Sequence, residues 1–85
     1  MTRYTVFLAS PVAEAFSTFK PREKTQLLKL LRRLQSDPFL QGDYTEQDLI
    51  GRPMSVIIVG RMAVVFWADH AVKEIKVLDI RPAGH

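Results

Sequence analysis

From Met54 to Val59 and again from Met62 to Ala68 the chain is almost wholly apolar, and only Gly60-Arg61 separates the two runs. Such a pair around a two-residue break that begins with glycine predicts a β-hairpin, because glycine reaches the positive φ of a tight turn without a steric cost. Asp69-His70 predicts a second turn and Lys73 to Arg81 a third strand, so the last third reads as an antiparallel meander. Upstream, Arg3 to Leu8 mixes β-branched and aromatic residues and predicts a first strand. Ser10-Pro11 then predicts a helix start, serine as N-cap and proline at the first helical position, where its missing N–H is not needed. Val12, Ala15, Phe16 and Phe19 follow at helical spacing until Lys20-Pro21 breaks this helix and starts another. From Pro21 to Ser36, leucines 27, 28, 30, 31 and 34 occupy one broad arc, as a core-facing helix of period near 3.6 requires. Asp37-Pro38 ends it, since a residue before proline is pushed out of the α region. Residues 39–53 hold Gly42, Gly51 and Pro53 and show no period, which predicts an irregular connection with at most a brief strand around Asp48 to Ile50. The order is β-α-α-β-β-β, an α+β fold with a helical hairpin packed on one face of a mostly antiparallel four-stranded sheet.

With Gly60-Arg61 as a two-residue turn, Val59 pairs with Met62, Ile58 with Ala63, Val56 with Val65 and Met54 with Trp67. Side chains alternate along a strand, so Met54, Val56, Ile58, Ala63, Val65 and Trp67 share one face, and Ile57, Val59, Met62, Val64, Phe66 and Ala68 the other. Both faces are apolar, whereas a sheet with helices on one side needs only one apolar face. The second is therefore covered, either by the 39–53 connection and the termini or by a partner, an identical subunit or a segment of another protein. Met54, Val56, Ile58, Val65 and Trp67 are the candidate partner contacts.

Composition narrows the setting. Eighty-five residues, 47% of them hydrophobic and 25% charged, suit a single folded domain spanning 1–85. The absence of cysteine removes disulfides and thiolate chemistry. No stretch approaches the roughly 18 apolar residues of a membrane span, and Met1-Thr2-Arg3-Tyr4 does not begin a signal peptide, so the expectation is a cytoplasmic protein without membrane contact. The net charge of +3 is unevenly spread. Asp37, Asp43, Glu46 and Asp48 make the connection acidic, while Arg22, Lys29 and Arg33 cluster opposite the leucines as a solvated helix face or a contact for nucleic-acid phosphates.

The four glycines are scattered and form no phosphate-cradling loop. His70 and His85 stand a whole strand apart with no carboxylate at a ligand spacing, so neither metal nor cofactor is expected. What the sequence retains is a loose set suited to metal-free RNA cleavage, in which a 2′-OH attacks the neighbouring phosphate. That reaction needs an acid or base, for which His85 serves, and cations for the developing charge, for which Arg61 and Arg81 serve. Each has a plainer alternative: His85 as a terminal residue, Arg61 as a turn residue, and Arg81 as a partner of Asp79 or of the carboxyl terminus.

Taken in order, Tyr4-Thr5-Val6-Phe7-Leu8, Ser10-Pro11, the helix from Arg22 to Gln35 closing on Ser36-Asp37-Pro38, Gly60 with Ala63-Val64-Val65-Phe66, Asp69, and Ile75 to Arg81 resemble the toxins of the RelE/ParE superfamily over nearly the whole chain. The resemblance implies a growth-inhibiting toxin of a type II toxin-antitoxin module, held in check by a cognate antitoxin. It also implies one of two targets, the ribosome, where some members cut mRNA, or DNA gyrase, which ParE-type members bind. Cutting members place an arginine early in the strand that ends on the aromatic; aligned on Phe66, that position is Ala63, and only Arg61 is near. They often alternate basic residues on the preceding strand, where this chain has Met54, Val56 and Ile58. The resemblance thus favours a toxin acting chiefly through protein binding, with a ribosome-dependent mRNA endoribonuclease as the alternative.

Overall fold

The computed structural model describes residues 3–83. Its elements are β1 (Thr5–Leu8), α1 (Ser10–Ser17), α2 (Pro21–Ser36), β2 (Tyr44–Gln47), β3 (Pro53–Val59), β4 (Met62–Asp69) and β5 (Glu74–Pro82). The sheet has the order β1-β5-β4-β3-β2, with β1 parallel to β5 and every other neighbouring pair antiparallel. The α+β architecture matches the expectation, but the strand count is five. The additional strand is Tyr44–Gln47, and the stretch around Asp48 to Ile50 is instead a turn. Little in Tyr44–Gln47 alternates between apolar and polar residues. The strand forms because β3 offers it a ladder, Tyr44 opposite Val56 and Gln47 opposite Pro53.

The long helix follows its sequence signals closely. Pro21 opens α2, the Glu23 carboxylate accepts the Lys20 backbone N–H at 2.9 Å, and the Asp37 N–H closes the last turn on the Arg33 carbonyl at 2.8 Å. Leu27, Leu30, Leu31 and Leu34 are buried, but Leu28 stands at the margin of the arc and is exposed. At α1 the cap is Ala9, with Ser10 already inside the helix and no side-chain cap, so the expected serine N-cap is displaced by one residue. Val12 and the α2 leucines pack on Met62, Val64, Phe66, Ile75 and Val77 of one sheet face. Burial of each such side chain is worth about 1.5–3 kcal/mol, which makes this layer the main source of stability.

The β3–β4 register runs from Val59 opposite Met62 through Ile58 opposite Ala63 and Val56 opposite Val65 to Ser55 opposite Phe66. It stops there, and Met54 pairs with Glu46 of β2 rather than with Trp67. Gly60 sits at φ +58 with the Gln26 side chain 2.7 Å from where a Cβ would stand, so the turn needs glycine for both conformation and space. The β4–β5 connection is longer than expected, His70 to Lys73, with Lys73 in the left-handed region at φ 56. Between β4 and β5 a register shift at Val65/Phe66 leaves Leu78 unmatched, and Leu78 packs on the side of the sheet away from the helices.

Candidate functional site

That second side holds the candidate partner contacts. Met54, Val56, Ala63 and Val65 form a cluster of their own, edged by Leu78 and Ala83. Val56 is fully buried and Ala63 is 2% exposed, although no helix lies over them. Part of the cover comes from charged side chains. Arg81 of β5 and Glu46 of β2 join in an ion pair, with β4 and β3 between their strands. Arg81 stands opposite Ala63 and Glu46 opposite Met54, so the pair arches over the apolar cluster. The methylene stems of both residues shield apolar surface while their charged ends meet.

The other end of this face is built around Trp67. The Arg52 guanidinium lies 4.4 Å from its ring centre and the Lys76 ammonium 5.0 Å, both within cation–π range. Each cation also has a carboxylate: Arg52 faces Asp48 at 3.9 Å, and Lys76 faces Asp69 at 3.3 Å and Glu74 at 3.7 Å. Burial raises the Asp69 carboxyl, but the hydrogen bond and charge of Lys76, with the backbone N–H groups of Ala71 and Val72, outweigh it and hold the group below its ordinary value. Arg52, Lys76 and Arg81, the cations of this face, are thus each engaged by carboxylates of the same chain. Between them the accessible apolar surface is Ile58, 40% exposed, the half-buried Trp67, and Tyr44 at the sheet edge.

The sequence candidates separate in space. Arg61 is exposed at the β3–β4 turn and lines a cleft with Lys20, Arg22, Glu23 and Gln26 at the start of α2. Arg81 reaches the other way, over the open face, and its partner is Glu46, not Asp79. His85 lies outside the described residues. Arg22, Lys29 and Arg33 are all exposed on α2, with Arg22 at the cleft that holds Arg61. Of the partner-contact set, Ile58 and Trp67 are accessible, whereas Met54, Val56 and Val65 are buried in the isolated chain. Sequence reasoning missed Glu46, Arg52 and Lys76. Glu46 carried a signal only in Tyr44-Thr45, two β-forming residues just ahead of it.

Among the described residues no three His, Asp or Glu side chains come together as a metal site, and no helix is long and apolar enough to cross a membrane. No protein-family model matches the chain, and no curated protein matches it in sequence. Solved structures do match. The chain is similar to one in the archaeal RelE-RelB complex from Pyrococcus horikoshii OT3, with a TM-score of 0.81 at 19% identity, covering 100% of this chain and 99% of that one. It is also similar to one in the toxin-antitoxin complex RelBE2 from Mycobacterium tuberculosis, with a TM-score of 0.76 at 14% identity, covering 94% and 98% of the two chains. The fold is RelE-like from end to end.

Proposed function

We propose, from a RelE-like fold that spans the chain, that this protein is the toxin of a type II toxin-antitoxin module, acting chiefly by gripping a protein partner. Both similar structures are complexes of a toxin with its antitoxin, which supports a cognate antitoxin as the first partner. The observation that carries the binding mode is the Arg81–Glu46 pair lying over Ala63. In the cutting members that the sequence resembles, this face presents free arginines to a phosphate. Here one position is alanine, and the other arginine already has a carboxylate on it. A phosphodiester would have to displace Glu46 from Arg81 or Asp48 from Arg52 to gain a guanidinium on this face, and a transition state with too few donors gains little. Ile58, Trp67 and Tyr44 instead offer an apolar and aromatic strip with a polar rim, the makeup of a protein-binding surface.

The test is expression in a host lacking the antitoxin, followed by co-expression with the product of a neighbouring antitoxin-like reading frame. Growth arrest relieved by that product is expected. Unchanged growth in both arms defeats the toxin assignment, and inhibition of gyrase supercoiling by the purified protein selects the ParE-type target.

The ribosome-dependent endoribonuclease remains the second reading, and one observation favours it. Arg61 stands beside Lys20 and Arg22 in an open basic cleft, and its carbonyl accepts the Ala83 N–H at 2.9 Å. Primer extension on a translated message decides it. New 5′ ends that vanish with Arg61→Ala or His85→Ala support cleavage, and none at all removes it.

A further inference from the structure

The two sides of this molecule treat their cations differently. On the open face of the sheet Arg52, Lys76 and Arg81 each meet a carboxylate. On the outer arc of α2, Arg22, Lys29, Arg32 and Arg33 are all exposed, and among the described residues none of them forms an ion pair. The helix has one carboxylate, Glu23, on the flank of that arc, where it accepts the Lys20 backbone N–H at 2.9 Å. Lys24 is set aside as well, half-buried with its ammonium 5.5 Å from the centre of the Phe16 ring. Lys29 and Arg33 stand one helical turn apart, where like charges repel, and nothing among the described residues offsets that cost. A polyanion from outside would.

The cations are also arranged in line. With 3.6 residues per turn, Arg22, Gln26, Lys29 and Arg33 fall in one row along α2, about 16 Å from end to end. The row runs into a cleft. Gly60 lies so close to the Gln26 side chain that a Cβ there would stand 2.7 Å from its oxygen, and this approach brings the β3–β4 turn up to the start of the helix. Arg61 and Lys20, both exposed, thereby join Arg22 around a hollow of about 530 Å³. A straight basic row that ends in a concave basic pocket complements a chain of evenly spaced anions better than a flat anionic surface.

What the row lacks narrows the polyanion. It has no apolar side chain to anchor the centre of a protein interface. Nor has α2 any aromatic residue on which the bases of a single strand could stack. The hydroxyls on the same arc are turned back on their own helix, Thr25 Oγ1 donating to the Pro21 carbonyl at 3.0 Å and Ser36 Oγ to the Arg33 carbonyl at 3.1 Å. Recognition of an RNA duplex draws on 2′-hydroxyl contacts as well as phosphates, whereas the backbone of a DNA duplex asks only for cations. We propose that the outer arc of α2, with Arg61 and Lys20 at its end, binds the phosphate backbone of a DNA duplex without reading its bases. The proposal stands apart from the toxin assignment, since purified protein and duplex are all it involves.

Fluorescence anisotropy of a labelled DNA duplex of about twenty base pairs, titrated with the full chain, tests it. Micromolar binding is expected at about 50 mM salt, weakening about a hundred-fold by about 200 mM as counterions leave about four phosphates. A duplex of shuffled sequence binds equally well. Lys29→Ala/Arg33→Ala is expected to weaken binding at least about tenfold at low salt and to flatten the slope of log affinity against log salt by about two. Both side chains are exposed and alanine favours the helix, so this variant keeps the circular dichroism and urea midpoint of the parent. Lys73→Ala, which removes a cation from the β4–β5 turn, leaves affinity and slope unchanged. Arg61, which the endoribonuclease reading also uses, is intact in every variant. Absence of binding at low salt overturns the proposal, as does a double variant with the parent's affinity and slope. Tighter binding to an RNA duplex of the same sequence, to phosphatidylserine vesicles or to polyglutamate of equal charge overturns it too.

Discussion

Glu46 and Arg81, 35 residues apart in sequence and on strands with two others between them, meet over the open face of the sheet. Both side chains are partly exposed, so the pair contributes less than about 1 kcal/mol to stability. Its main effect is on what Arg81 can bind. Glu46→Gln is therefore expected to shift the urea unfolding free energy by less than about 1 kcal/mol while freeing the guanidinium. Under the binding reading the variant still yields no cleaved message. New 5′ ends that depend on Arg81 would instead make Glu46 an internal brake on a nuclease.

Ala63 tests the same face from below. It is 2% exposed and packed with Val56 and Val65, so Ala63→Arg does not simply restore a missing arginine. Forcing the larger side chain into that layer is expected to destabilise the fold by about 1–3 kcal/mol through overpacking alone. Chemical denaturation measures it, and a variant as stable as the parent would mean that the open face has room the structure does not show.

The Gly60 turn carries two separable costs. Gly60→Ala puts a Cβ 2.7 Å from the Gln26 side chain and holds alanine at φ +58. The conformational part is worth about 1–2 kcal/mol. Since the obstructing atoms end a flexible side chain, Gln26→Ala in the Gly60→Ala background is expected to recover the steric part and leave the backbone part. Unfolding free energies of the four proteins in this cycle separate the two contributions.

Asp69 gives the stability a pH dependence of known sign. Its carboxyl titrates lower in the folded chain than in the unfolded one, so its contribution is complete above the unfolded value of about 3.9 and fades as pH falls through the folded value. Asp69→Asn is expected to lower the thermal midpoint at neutral pH and to converge on the parent in strong acid. Parallel melting curves across the whole acid range would show that Lys76 and the β4–β5 turn do not depend on the charge.

Much of this architecture is legible in the sequence because local signals agree with the tertiary demand. Prolines 21 and 38 bracket α2, four leucines aim it at the sheet, and Gly60 pins the β3–β4 register to the residue. What escapes is non-local. Tyr44–Gln47 becomes a strand through its neighbour β3, and its start is set by Gly42, where a Cβ would lie 2.7 Å from the Val56 carbonyl oxygen. The Glu46–Arg81 contact requires the strand order before it can be imagined. Alternation does divide the hairpin residues correctly into two faces. It cannot reveal that Val56, Ala63 and Val65 are already covered within one chain, because that cover comes from β2 and the far end of β5.

The parallel pairing of β1 with β5 also bears on when this protein comes into being. β1 finds its sheet neighbour about seventy positions later, Thr5 opposite Glu74 and Leu8 opposite Val77. During synthesis the first strand emerges with nothing to join, and α1 and α2 wait without the buried Ile75 and Val77 they rest on. The nascent chain thus lacks the strand that joins β1 to β4 until β5 has cleared the exit tunnel. A translation product interrupted before β5 therefore has no completed sheet, and whatever binding surface the sheet carries exists only once β5 is made.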